Sequence, residues 1–206
     1  MTFAVLSESA ADESAIRVLL GPLVAAEIAM QVEPVRFRGW PAVLKLLPPV
    51  IKHFHYHTAV DGLIVVVDSD DSTPHGGHEP GEPADCRLCR LTSRVAQELV
   101  ALTPVPGKPS LRTAIGLCIP AIEAWYLCGI DATVTEAAWT NGRRSGQPPY
   151  SRVELKRRVY GTPIPVLEAQ KEIAVLHAER LAADLNLLDT CFPAGCGVML
   201  DSVRAW

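Results

Sequence analysis

The sequence predicts an α/β fold: a mainly parallel sheet of about four strands with helices on both faces, followed by a C-terminal helical extension. Three observations lead there. Short apolar runs alternate with segments of helical spacing through the first 130 residues. The strongest of those runs, "GLIVVVDSDDS" (62–72), drives an apolar strand directly into Asp68, Asp70 and Asp71. The chain is 206 residues long, 49% hydrophobic and 20% charged, which is enough to bury a core without disulfide staples.

Taken in order, "FAVLS" (3–7) has the composition of a short buried strand, and "SAADESAIRVLL" (9–20) that of a helix whose first turn is acidic. Gly21 and Pro22 then break the helix. "VEPVRF" (32–37) is expected to be a second strand, placed at a sheet edge by Pro34. Residues 41–57 have helical spacing that Pro48 and Pro49 should distort, and 62–69 form the third and clearest strand. A Gly/Pro-rich excursion (72–84) leads to a helix over 85–102 with Asp85 as its expected N-cap. "LRTAIGLCI" (111–119) is the fourth strand, and "PAIEAWYLCG" (120–129) a short helix opened by Pro120 and closed by Gly129. Trp125 and Tyr126 in that helix are expected in the core. Past residue 130 the pattern changes: a turn-rich linker (145–151), a basic helix (152–161), one long amphipathic helix (165–188) and a tail ending in a short helix. The expected organisation is an α/β domain over 1–130 with a helical extension over 131–206 packed on it.

The net charge of −4 gives no global attraction to nucleic acid or to anionic membranes, so binding of that kind needs a local patch. Arg143, Arg144, Lys156, Arg157 and Arg158 offer one, and they also suit a solvated helix face. No stretch near twenty residues is free of charge and proline, and the opening residues have neither a basic leader nor a long apolar core. A cytoplasmic protein without a membrane partner is therefore expected. In that compartment the six cysteines are expected as buried thiols or metal ligands rather than disulfides.

In a parallel sheet, ligands gather outside the carboxyl ends of the strands. Asp68 and Asp70 stand at that end of the third strand, two residues apart, and Glu8 follows the first strand. If those strands are neighbours, the three carboxylates meet, and a divalent cation is the natural neutraliser. Mg²⁺ or Mn²⁺ suits such hard oxygen donors and keeps positions open for phosphate oxygens.

"VLSESAADESAI" followed about sixty residues later by "IVVVDSDDS" resembles the Toprim domain of topoisomerases, primases and nucleases of the overcoming-lysogenization-defect type. "IPAIEAWYLCG" resembles a segment of small stand-alone Toprim-like bacterial proteins linked to phage defence and mobile-element functions. The resemblance covers roughly residues 1–130, with Ser9 standing where a glycine usually follows the glutamate and Asp71 adding an acid. It implies a Toprim-like fold and metal-dependent cleavage of nucleic acid phosphodiesters. Glu8, Asp68 and Asp70 would be the catalytic metal-binding acids, with Glu8 as ligand or general base. Asp12 could help hold a second ion, Glu123 could join the same shell, and Lys108 or Arg112 could meet a phosphate. No specific signal marks a nucleophilic tyrosine, so water is the simpler attacking group.

Other readings stand beside this one. His75 and His78, then Cys86 and Cys89, supply the four donors of a zinc site, or else the cysteines pack on the sheet and the histidines lie in the loop. "VVVDSDDS" also resembles the haloacid-dehalogenase phosphatase signature, with Asp68 as nucleophile and Asp70 as acid/base. A catalytically silent adaptor of the same fold would instead bind a partner such as an ATPase, through apolar positions between Val166 and Leu188.

Overall fold

The computed structural model describes residues 2–24, 39–75 and 85–206. Among them lies a three-stranded, all-parallel sheet in the order β1 (Phe3–Leu6), β2 (Gly62–Asp68), β3 (Arg112–Cys118). Register runs from Phe3 opposite Gly62 to Leu6 opposite Val65, and from Gly62 opposite Arg112 to Asp68 opposite Cys118. Every residue of β1 and β2 is buried, as expected of strands covered on both faces, and this is why they read as unbroken apolar runs. The edge strand expected over 32–37 lies outside the described residues.

Helix α1 (Ala10–Leu20) begins where the sequence places it, with the Ser9 hydroxyl accepting from the Asp12 amide at 3.2 Å. Helix α2 (Trp40–His57) contains Pro48 and Pro49 within its span. Its N-cap, Gly39, has φ +76°, a left-handed value that favours glycine, and a Cβ there would stand 3.9 Å from Glu8 Oε2. Helix α3 (Arg87–Val100) starts later than expected: Cys86 holds the N-cap position and makes no side-chain cap bond. The Asp85 carboxylate instead accepts from the amide and hydroxyl of Thr73, each at 3.0 Å, tying the residue before α3 to the loop after β2.

Helix α4 (Ile122–Leu127) also opens differently: Ala121 is its N-cap, and Pro120 lies before the helix rather than in its first turn. After it come α5 (Glu136–Arg144), α6 (Arg152–Tyr160) with a Ser151/Glu154 capping box and left-handed Gly161, α7 (Leu167–Ala182) and α8 (Leu185–Cys191). The single long helix expected over 165–188 is two helices: Asp184 caps a new one, its carboxylate accepting from the Leu187 amide at 3.2 Å. A π-helical turn (Pro193–Gly197) and α9 (Val198–Arg204) end the fold.

Helices cover both faces of β3. Thr113 and Ile115 share a groove with Leu88 and Val95 of α3, whereas a Cβ on Gly116, pointing the other way, would meet Met199 of α9 and Trp125 of α4. One buried core joins Val5, Ile64 and Leu117 of the sheet to Ala174, Ala178 and Met199 beyond residue 130, so the later helices pack on the sheet unit. Trp125 and Tyr126 belong to that core. No cysteine is in a disulfide, and no described helix is long and apolar enough to cross a membrane.

Candidate functional site

Glu8 and Asp68 meet at the carboxyl end of the sheet. Because β1 and β2 are adjacent, Glu8 reaches across from the loop after β1, and its Oε1 accepts from the Asp68 amide at 3.1 Å. Asp68 Oδ1 accepts from the Ile122 amide at the start of α4 at 2.9 Å, and Oδ2 is paired with Arg152 Nη2 at 2.7 Å.

Asp70 joins them by a route that the two-residue spacing does not describe. The chain leaves the strand at Asp68 and turns, with Ser69 N donating to Cys118 O at 2.8 Å and Asp70 N to Pro120 O at 2.9 Å. Asp70 adopts φ 47°, a left-handed conformation that aspartate tolerates better than most side chains. Its two oxygens then take different cations: Oδ1 pairs with Arg152, and Oδ2 with Arg87 Nη1 at 2.7 Å. Arg87 Nη1 also donates to the Asp68 carbonyl at 2.6 Å and lies 3.8 Å from Glu8 Oε1. The Trp40 ring stacks against the same guanidinium at 5.3 Å.

Asp12 and Glu123 stand behind this trio. Asp12 and Asp68 share a narrow crevice with Glu8. Glu123, 2% exposed, has Oε1 3.6 Å from Lys156 Nζ, and its Oε2 is a buried acceptor with no hydrogen-bond partner. Burial pushes Asp12 up from its ordinary 3.8 to about 7, with Glu123 and Glu8 adding to the rise while Ser9 and Lys156 oppose it. Burial, then the Glu123 charge, holds Asp68 well above the carboxylate range against the pull of Arg152. Glu123 is raised by burial, with Lys156 opposing. Five carboxylates thus share one region with Arg87, Arg152 and Lys156. With all five ionised, the uncompensated charge equals that of one divalent ion. These acids offer oxygen donors only, and Glu123 Oε2 lacks a hydrogen-bond partner.

The remaining expected site residues lie elsewhere. Arg112 pairs with Gly62, at the opposite end of the sheet from Asp68 and roughly 20 Å away along a seven-residue strand, and its Nη1 donates to the Trp206 carbonyl. Lys108 Nζ donates to the carbonyls of Phe54 (2.5 Å), His55 (2.8 Å) and Thr58 (2.6 Å), closing the C-terminal end of α2. Neither faces the acids. Asp71 is 92% exposed at its side chain and pairs outward with Arg143 at 3.6 Å.

Three of the four expected zinc donors converge: ligand atoms of His75, Cys86 and Cys89 all lie within 4.8 Å of one another and could hold a metal ion. His78 lies outside the described residues. Burial pushes the Cys86 thiol up to about 11, with Cys89 beside it.

No sequence pattern marks the cations of the site as partners of the acids. Arg87 sits inside the Cys-x-x-Cys stretch, and Lys156 belongs to the basic helix that reads equally as a solvated face or a nucleic-acid patch. Nothing local signals that α6 folds over α4.

Fold and site together define an α/β protein that gathers carboxylates at the carboxyl edge of a three-stranded parallel sheet and crosses them with cations from α3 and α6. Comparison with protein-family models, with curated proteins and with solved structures gives no match in any of the three.

Proposed function

We propose that this chain is a Toprim-like, divalent-metal-dependent phosphodiesterase that acts on nucleic acid. The observation that carries the reading is the hydrogen bond between Glu8 and the Asp68 amide, beside an Asp70 that shares Arg152 with Asp68. Acids 60 residues apart in sequence are thereby held at one strand end, where parallel sheets present ligands. Glu8, Asp68 and Asp70 would hold magnesium or manganese, with Asp12 and Glu123 behind them. When bound, the ion supplies Lewis-acid stabilisation of charge on a phosphate oxygen.

The protein's own groups do the rest. Glu8 accepts a proton from attacking water as general base. Arg152, 40% exposed, exchanges its carboxylate contacts for substrate phosphate oxygens, a planar bidentate match. Arg87, held by the Trp40 ring, stays with Asp70 and the Asp68 carbonyl and keeps the turn in place.

The test is calorimetric titration with Mn²⁺ together with cleavage of single- and double-stranded DNA and RNA. Asp68→Asn and Glu8→Gln should abolish both binding and cleavage. Unchanged Mn²⁺ binding in Asp68→Asn would remove the basis of the proposal.

One observation favours a second reading, the silent adaptor: Asp68 and Asp70 are both already neutralised by arginines, and Leu167 and Leu176 of α7 are more than half exposed. That reading expects Asp68→Asn to leave function intact, while Leu167→Asp and Leu176→Asp abolish partner binding. The phosphatase reading has less support, because both oxygens of Asp68, its required nucleophile, are engaged.

A further inference from the structure

Cys86 and Cys89 bracket Arg87, the residue that reaches into the acid cluster. Both sulfurs converge on one nitrogen: His75 Nδ1 lies 3.4 Å from Cys89 Sγ and 3.8 Å from Cys86 Sγ. A neutral imidazole Nδ1 carries either one lone pair or one proton, so one linear hydrogen bond accounts for only one of these contacts and the other needs a bifurcated bond or a shared ion. Tetrahedral zinc explains both. With Zn–S of about 2.3 Å and Zn–N of about 2.0–2.1 Å, its ligand atoms stand about 3.5–3.8 Å apart. Two thiol sulfurs and an imidazole are the soft and borderline donors that zinc selects, unlike the oxygen donors of the acid cluster. Cys86 is fully buried, while Cys89 borders the clefts on either side of α3 and gives an ion a way in.

The position of the cluster gives the ion a task. The first turn of α3 has no side-chain cap, and among the described residues the Thr73–Asp85 bonds are exposed ties between it and the loop after β2. We propose that His75, Cys86 and Cys89 bind one zinc ion, and that this ion locks the start of α3 to the loop after β2 so that Arg87 remains between Glu8 and Asp70. The ion is structural, and the proposal does not depend on any reaction at the acids.

Elemental analysis of the purified full chain should find one zinc per molecule, and cobalt substitution should produce thiolate-to-cobalt charge-transfer absorption. Cys89→Ser, at the half-buried ligand, and His75→Ala should each weaken zinc binding about tenfold or more. In the wild-type protein, removing zinc with a chelator should speed amide hydrogen exchange over residues 86–91 about tenfold, and adding zinc back should restore protection. Asp68→Ala should keep the zinc, which separates this proposal from the phosphodiesterase reading. Absence of bound zinc, zinc retained by a folded Cys86→Ser/Cys89→Ser variant, or exchange over 86–91 that ignores chelation would each overturn it. The chelation arm needs no variant, so a misfolded mutant leaves it decisive.

Discussion

Asp12→Asn should make the protein more stable when magnesium and manganese are absent, an unusual outcome for a nearly isosteric change at a buried position. Asp12 lies on the first turn of α1, 9% exposed, with Glu8, Glu123 and Asp68 around it and Lys156 as the opposing charge. Its pKa is raised from 3.8 to about 7, chiefly by burial. A carboxyl with a raised folded-state pKa contributes stability that is fully present below the unfolded value and is lost as pH rises through the folded one. The loss therefore falls between about pH 4 and about pH 7. At 1.36 kcal/mol per pH unit, the full span amounts to on the order of 4 kcal/mol. Asparagine carries no charge and escapes that loss. Urea unfolding across this pH range, without the two divalent ions, should show variant and wild type nearly equal near pH 4 and the variant ahead by up to about 4 kcal/mol near pH 8. Saturating Mn²⁺ should narrow or reverse the gap, since the ion supplies the missing positive charge to the wild-type cluster. A gap of the same size at every pH, or a variant less stable near pH 8, would refute the desolvation argument.

Two other outcomes follow from the packing. Lys108→Met should lower stability by about 1–3 kcal/mol in thermal melts, because three carbonyls at the end of α2 lose their donor, while Mn²⁺ affinity stays unchanged. Gly195→Ala should cost about 1–3 kcal/mol or more, since its Cβ would sit 2.1 Å from the Leu117 carbonyl oxygen and the backbone of the buried strand β3 resists moving away; a melting temperature within error of wild type would show otherwise.

The sheet was legible because burial on both faces leaves a plain mark, an apolar run such as residues 62–67 with no polar interruption. The meeting of Glu8, Asp68 and Asp70 was legible because each follows a strand of a parallel sheet whose neighbours are β1 and β2, although Asp70 arrives there through a left-handed turn rather than through strand alternation. The misplaced parts share a cause. Asp85 has the right residue type and spacing for an N-cap, yet Thr73, twelve positions earlier, offers it two donors. The apolar period over 165–188 continues across the break at Asp184, so periodicity alone runs the two helices together; the aspartate that caps α8 was the available signal. Lys108 and Arg112 precede β3 closely enough in sequence to suggest a phosphate contact, but they stand at the opposite end of the sheet from the acids. Arg152 and Lys156 could not be assigned to the acids at all, because only the packing of α6 on the sheet unit brings them there.

That last dependence bears on how the protein is made. Of the three cations that offset the acids, two reside at positions 152 and 156, whereas all five acids are synthesised by position 123. A nascent chain that stops short of α6 must bury a cluster of like charges with Arg87 alone to offset it, so the anionic edge of the sheet closes late in synthesis. Any shortened version ending near residue 130 inherits the same imbalance and should need high salt or divalent ions to stay folded.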